Sequence, residues 1–207
     1  MRREYAATAL VESGMSTDPF AQLAAWLEEA LSRDEIVEPN AMTLATVDAG
    51  CKPAARVVLL RGLDERGLTF FTNYESRKAG DLEANADAAV VFYWGALHRQ
   101  VRVEGTVARI APAESDAYFA SRPRGHRLSA WASPQSRPVA DRATLESALQ
   151  AVEERFADRD VERPPHWGGY RLVPRRFEFW QGRLNRMHDR ILYERDDAVW
   201  QISRLAP

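Results

Sequence analysis

The pattern that most restricts this chain is a change of hydrophobic period at Glu38-Pro39-Asn40. Before it, Phe20, Leu23, Trp26, Leu27 and Leu31 recur at helical spacing, behind Asp18 as a candidate N-cap and Pro19 at the first helical position. After it, apolar residues come in short β-rich runs, AMTLATVD, AARVVLLRG and GLTFFTN, separated by turn residues such as Asp48-Ala49-Gly50 and Asp64-Glu65-Arg66-Gly67. In RQVRVEGTVARI, Val101, Val103 and Val107 alternate with Arg102, Glu104 and Thr106, as a strand with one buried face requires. A period of two scatters apolar side chains around a helix but gathers them on one side of a strand, so this region must be sheet.

Helices are expected at Ser76 to Asn85, Pro112 to Ser121 and Asp141 to Ala157. Strands are expected again in AAVVFYW and then in YRLVP, RRFEFWQG, HDRILYER and AVWQISRL. About seven strands with helices inserted between them, rather than alternating one for one, predict a mainly β fold with peripheral helices (α+β), an antiparallel barrel or sandwich. Asp158 to Pro165 reads as a connection within one domain, so residues 1–207 are expected to form a single domain.

Composition narrows the function classes. A net charge of -2 gives no general pull toward nucleic acid or an anionic membrane, so any anion site must be local. No apolar run is long enough to span a bilayer, and the start MRREYAATAL lacks an apolar signal core, which makes the cytoplasm the expected location. The lone Cys51 cannot form an intrachain disulfide. His98, His126, His166 and His188 are scattered without ligand spacing, so no metal site is expected. Walker, Gly-x-Ser-x-Gly and Gly-rich dinucleotide motifs are missing from the sequence.

Three stretches suit phosphate and a planar ring. In NYESRKAGDL, Ser76 is a candidate cap of a helix start, with Arg77 and Lys78 following it. Arg56 and Arg61 are five positions apart and cannot share one face of a regular strand, so one of them is expected at a strand end. YFASRPRGHRLSAWASPQSRPV, broken by Pro123, Gly125 and Pro134, reads as an irregular loop rich in anion donors and anchored by Tyr118, Phe119 and Trp131. In FWQGRLNRMHDR, Trp180 supplies a flat wall, and Arg186, His188 and Arg190 would point to one side of a strand, with Arg183 left to solvent. Residue chemistry alone does not name a reaction.

The motifs RVVLLRG, FFTNYESRK, HRQVRVEG, YFASRPRG, AWASPQS, PPHWGGYRL, EFWQG, RMHDR and the terminal RLAP together resemble the pyridoxine (pyridoxamine) 5'-phosphate oxidase family over nearly the whole chain. The resemblance implies an FMN-binding split β-barrel and a homodimer with FMN at the subunit interface. It also implies a phosphorylated B6 vitamer as substrate and molecular oxygen as oxidant. Carried over by motif, FMN would be held by Arg56, Val57, Val58, Leu59, Leu60, Arg61, Phe71 (through its backbone), Thr72, Arg77, Lys78, Gln100, Gln135, Ser136, Trp180 and Arg190. The substrate would meet Arg61, Tyr118, Arg122, His126, Arg186, Met187 and His188. Arg186 and His188 would be the catalytic pair, and Arg2, Arg3, Glu4 and Tyr5 would belong to a mobile segment, about residues 1–17, that closes over the site. Two positions depart from the family pattern: Arg61 stands where lysine is usual, and His126 where serine is common. Arginine keeps the charge in a different geometry, and a histidine would make phosphate binding depend on pH. A flavin- or deazaflavin-dependent reductase and a non-catalytic cofactor carrier remain as alternatives at this point.

Overall fold

The computed structural model describes residues 9–197 and 199–207. Helix α1 (Pro19–Leu31) starts as expected, with the Asp18 carboxylate accepting from the Phe20 N–H at 3.0 Å and Pro19 in the first turn. Then follow β1 (Ala41–Val47), β2 (Pro53–Leu59), β3 (Gly62–Asp64), β4 (Gly67–Asn73), α2 (Arg77–Ala84), β5 (Asp87–Trp94) and β6 (Arg99–Arg109). Helices α3 (Pro112–Ser121), α4 (Arg124–Ala132) and α5 (Arg142–Arg155) precede β7 (Trp167–Gln181), β8 (Asp189–Asp196) and β9 (Val199–Arg204).

All strand pairings are antiparallel, in the order β2-β1-β5-β6-β7-β4-β3, with β8 added to β7 and β9 to β8. β2 and β4 also approach each other, so the sheet curls into a split β-barrel with the helices outside it. Among the described residues there are nine strands rather than about seven, and YRLVP and RRFEFWQG form one strand, β7. The proline that suggested a break, Pro174, sits where the β6–β7 register shifts between Glu104 and Gly105. A bulge accommodates a residue that has no N–H to give the ladder. There β7 also changes its second neighbour, from β4 at residues 167–172 to β8 at residues 176–181.

The alternating residues fill the barrel: Leu44, Phe70, Val90, Phe92, Val101, Val103, Leu172, Phe177 and Phe179 are all fully buried. Trp26 of α1 closes one end, edge-on to Phe179 at 5.2 Å. A second apolar cluster, Phe119, Leu128, Phe156, Val161 and Trp167, docks α3, α4 and α5 against the start of β7.

Residues Arg124–Ala132, within the segment read as an irregular loop, are therefore helical. Pro123 precedes α4, where a missing N–H costs nothing. Two of its arginines are already engaged by the protein. Arg124 donates to the carbonyls of Phe156 and Arg159 beyond α5, and Arg127 pairs with Asp160 at 2.7 Å.

Candidate functional site

A cavity of about 600 Å³ opens between β2, β4 and the helices. Val57, Val58 and Leu59 of β2 and Phe71 and Thr72 of β4 form one side; Tyr118, Ser121, Arg122, Pro123 and His126 form the other. Arg61, just beyond the end of β2, Lys78 of α2, Gln135 and Trp167 complete it, and among the described residues no Asp or Glu lines it. The rings of Phe71, Tyr118 and Trp167 are nearly parallel, with Phe71 and Tyr118 centroids 3.9 Å apart. The Phe71 ring is thus part of an aromatic wall of the cavity. Arg122 lies over the Trp167 ring at 4.6 Å, and its Nη1 is buried without a hydrogen-bond partner. Burial and the nearby Arg61 both push the Arg122 guanidinium below its ordinary range.

Among the described residues Lys78 is held by neutral oxygens: Thr72 Oγ1 and Gln135 Oε1 at 3.0 Å and Ser76 Oγ at 3.3 Å. Burial, and secondarily the charge of Arg56, lowers its ammonium to about 8. Ser76 precedes α2 as expected, but its hydroxyl faces Lys78 and does not cap the helix.

Several expected site residues lie elsewhere. Arg56 does not line the cavity; it donates to Thr46 Oγ1 at 2.6 Å and to the Leu44 carbonyl, and pairs with the buried Asp81 at 3.3 Å. Leu60 is buried in the core, while Arg77 and Ser136 are exposed and outside the cavity lining, Ser136 with a left-handed φ of 70°. Arg2, Arg3, Glu4 and Tyr5 lie outside the described residues. Trp167, Ser121, Pro123 and the supporting Asp81 were not foreseen. Trp167 sat in a recognised motif, whereas nothing local in sequence links Asp81 to Arg56.

The remaining residues form a second group on the outer face of β6, β7 and β8. Gln100, Trp180 and Arg190 are directly opposite one another in register. The Trp180 and His188 rings are 4.8 Å apart. Arg186 and His188 do not share a strand face: residues Leu184–Arg186 form a tight turn, with Asn185 and Arg186 at φ of 55° and 63°, and β8 begins only at Asp189. Left-handed backbone breaks the period of two. Met187 is exposed. The Arg183 N–H donates to His188 Nδ1 at 3.1 Å, so the neutral imidazole carries its proton on Nε2. Arg183, expected to be solvated, also pairs with Asp189 at 3.5 Å.

Asp189 ties this turn to the chain start. It accepts from the Leu10 N–H at 3.0 Å and from Arg204 at 2.7 Å, and Arg204 in turn grips Glu12, whose carboxyl is held down to about 2 chiefly by that hydrogen bond.

The cavity and the second group share one sheet face. Val57 is opposite Thr43, Thr43 opposite Val91, Val91 opposite Arg102 and Arg102 opposite Glu178. Four inter-strand steps separate them, roughly 19 Å along the sheet. None of Gln100, Trp180, Arg186, His188 and Arg190 lines the cavity.

Among the described residues no helix is long and apolar enough to cross a membrane, and no cluster of His, Cys, Asp or Glu could hold a metal ion. Residues 28–156 match the family described as pyridoxamine 5'-phosphate oxidase, and residues 167–207 match the pyridoxine 5'-phosphate oxidase C-terminal dimerisation region. The chain is 56% identical, over 100% of its length and 97% of the relative's, to a protein from Pseudomonas paraeruginosa named pyridoxine/pyridoxamine 5'-phosphate oxidase. It is similar to the structure of PhzG from Burkholderia lata 383 in complex with tetrahydrophenazine-1-carboxylic acid, with a TM-score of 0.90, 29% identity, and coverage of 97% of this chain and 99% of that one. A pyridoxamine 5'-phosphate oxidase-related, FMN-binding protein from Nostoc punctiforme shares the fold, with a TM-score of 0.74, 22% identity, and coverage of 93% and 100%.

Proposed function

The chain belongs to the pyridoxamine 5'-phosphate oxidase family, and on that premise we propose that it oxidises pyridoxine 5'-phosphate and pyridoxamine 5'-phosphate to pyridoxal 5'-phosphate with FMN as cofactor. The observation that carries this reading is the cavity that gathers Arg61, Lys78 and Arg122 with no carboxylate among the described residues of its walls. Such a site is built for anions, and its cations come in two settings. Lys78 is held by Thr72 and Gln135, while Arg122 and Tyr118 lie against the aromatic wall. That suits two phosphates, one of a flavin nucleotide and one of a substrate.

The residues fit FMN. Among the described residues the Lys78 ammonium has no carboxylate partner, a place an anion would take, and the Arg122 Nη1 has no acceptor. Lys78, Thr72 and Gln135 would hold the flavin phosphate with Arg56 behind them, Arg77 and Ser136 would approach it from outside the cavity lining, and Val57 to Leu59 would run beside the nucleotide. Tyr118, Arg122, Arg61 and His126 would hold the substrate phosphate. FMN held there would supply a two-electron acceptor for oxidation of the substrate carbon, with molecular oxygen as the final oxidant leaving as hydrogen peroxide and, from the amine, ammonia released by hydrolysis.

Gln100, Trp180, Arg190, Arg186 and His188 would reach a flavin from a second copy of the chain, since none of them lines the cavity of their own. The match of residues 167–207 to a dimerisation region supports a homodimer of this kind. In it, Trp180 and Arg190 would flank the ring while Arg186, Met187 and His188 cover the substrate. His188, with Nδ1 engaged by the Arg183 N–H, would orient substrate by donating from Nε2.

Two experiments test this. Purified protein should be yellow, should consume oxygen with pyridoxine 5'-phosphate and release hydrogen peroxide without a nicotinamide donor; flavin binding without turnover under air would leave only a carrier. For the shared site, co-expression of Arg122→Gln chains with Arg186→Gln chains should restore activity, because one hybrid site per dimer keeps both intact partners. Activity no greater than that of the separate variants would place the whole site in one chain.

A further inference from the structure

One carboxylate beside the second group belongs to neither set of ligands. Glu178 lies on the same outer face as Trp180, two residues before it, and is only 5% exposed. Its Oε1 accepts from Arg190 Nε at 2.8 Å, and its Oε2 accepts from Arg102 Nη1 at 3.1 Å. Arg102 has a second acid in Glu104, at 2.8 Å, and so is compensated without Glu178. Arg190 has no other acid within salt-bridge distance among the described residues; its second contact is the backbone carbonyl of Ala206, which accepts from Nη1 at 2.9 Å, while the Leu205 N–H bonds back to the Arg190 carbonyl at 2.9 Å.

The guanidinium is planar and its donors form a rigid fork. With Nε fixed by Glu178 and Nη1 by Ala206, the direction of Nη2 is set, and Nη2 has no protein partner among the described residues. Arg190 stands directly across from Trp180, which stands across from Gln100. Burying a carboxylate is costly unless it is paired and hydrogen-bonded. Glu178 meets that condition through both oxygens, so it is a rigid brace rather than a loose surface charge.

We infer that Glu178 is a positioning residue for the cofactor: it aims the remaining donors of Arg190 at the flavin and balances the arginine's charge beside the ring. This rests on the reading that Arg190 holds FMN. The test uses the full-length dimer, stripped of flavin and titrated with FMN, together with the midpoint potential of the bound flavin. Glu178→Gln should weaken FMN about tenfold, as for one charge-assisted hydrogen bond lost, and should shift the potential upward, because an unbalanced positive charge favours the reduced ring. Glu178→Asp, which keeps the charge, should hold the potential near that of the parent while still binding FMN less tightly. Unchanged FMN affinity in Glu178→Gln, or weaker binding with an unmoved potential, would overturn the inference, provided Arg190→Gln weakens FMN. If Arg190→Gln binds FMN normally, the underlying site reading fails instead. Should Glu178→Gln not fold, parent-like FMN affinity in Glu178→Asp would overturn the inference in its place.

Discussion

Replacing Lys78 with methionine should remove both affinity for FMN and the pH dependence of that affinity. The ammonium is surrounded by three neutral oxygens and no carboxylate, and burial, helped by Arg56, brings it to about 8. A phosphate is already close to dianionic above pH 7, so Lys78 would be the group that changes charge in the alkaline range. A bound phosphate stabilises the ammonium and raises it above its value in the free protein. Binding therefore takes up a proton above pH 8, while below it Lys78 is already charged. Affinity should be flat from pH 7 to about 8 and then fall, approaching tenfold per pH unit, as a difference of one unit is worth about 1.4 kcal/mol. Direct Coulomb attraction at contact is up to about 4 kcal/mol in a surface-like dielectric. Desolvation and solvent screening reduce the net, so Lys78→Met should lose roughly 2 kcal/mol of binding at pH 7. The same shift has the opposite effect on the flavin-free fold. A folded-state ammonium below its ordinary value binds fewer protons than the unfolded chain, so apoprotein stability should rise between about pH 8 and 10.5, and Lys78→Met should abolish that rise. Fluorescence titration of apoprotein with FMN from pH 7 to 9.5 reads the binding effect. A flat profile in the parent, or the same slope in Lys78→Met, would refute the reasoning.

Three further outcomes follow from other contacts. Arg122→Gln should raise KM for the phosphorylated substrate by at least about tenfold with little change in FMN affinity, measured by steady-state kinetics and flavin titration. Asp81→Ala leaves Arg56 and Thr46 without their shared acceptor behind the cavity and should cost about 3 kcal/mol in urea unfolding, as expected for breaking a buried pair. Gly105→Ala places a Cβ 2.1 Å from the Val173 carbonyl oxygen at the β6–β7 bulge; because backbone must move to make room, it should destabilise by about 2 kcal/mol or more.

The period-two run Val101, Val103, Val107 and the helical spacing from Phe20 to Leu31 were sufficient to assign strand and helix, because burying one face imposes its period locally. The family motifs likewise named eleven lining residues, Val57, Val58, Leu59, Arg61, Phe71, Thr72, Lys78, Tyr118, Arg122, His126 and Gln135, before any fold was at hand, whereas Trp167 was not singled out for a role. Other features depend on pairing between residues far apart in sequence. Pro174 reads as a strand end until the register shift in β6 gives it a place without a donor. Arg186 and His188 read as one strand face until the left-handed Asn185 and Arg186 turn the chain. Arg124 and Arg127 read as anion donors until carbonyls beyond α5 and Asp160 engage them. Arg56 reads as a ligand until Asp81, 25 residues away, draws it behind the wall. Sequence determines hydrophobic period and which ionisable groups are available; only the tertiary fold decides which partner each charge meets first, since that depends on distance in space and on what burial leaves unpaired.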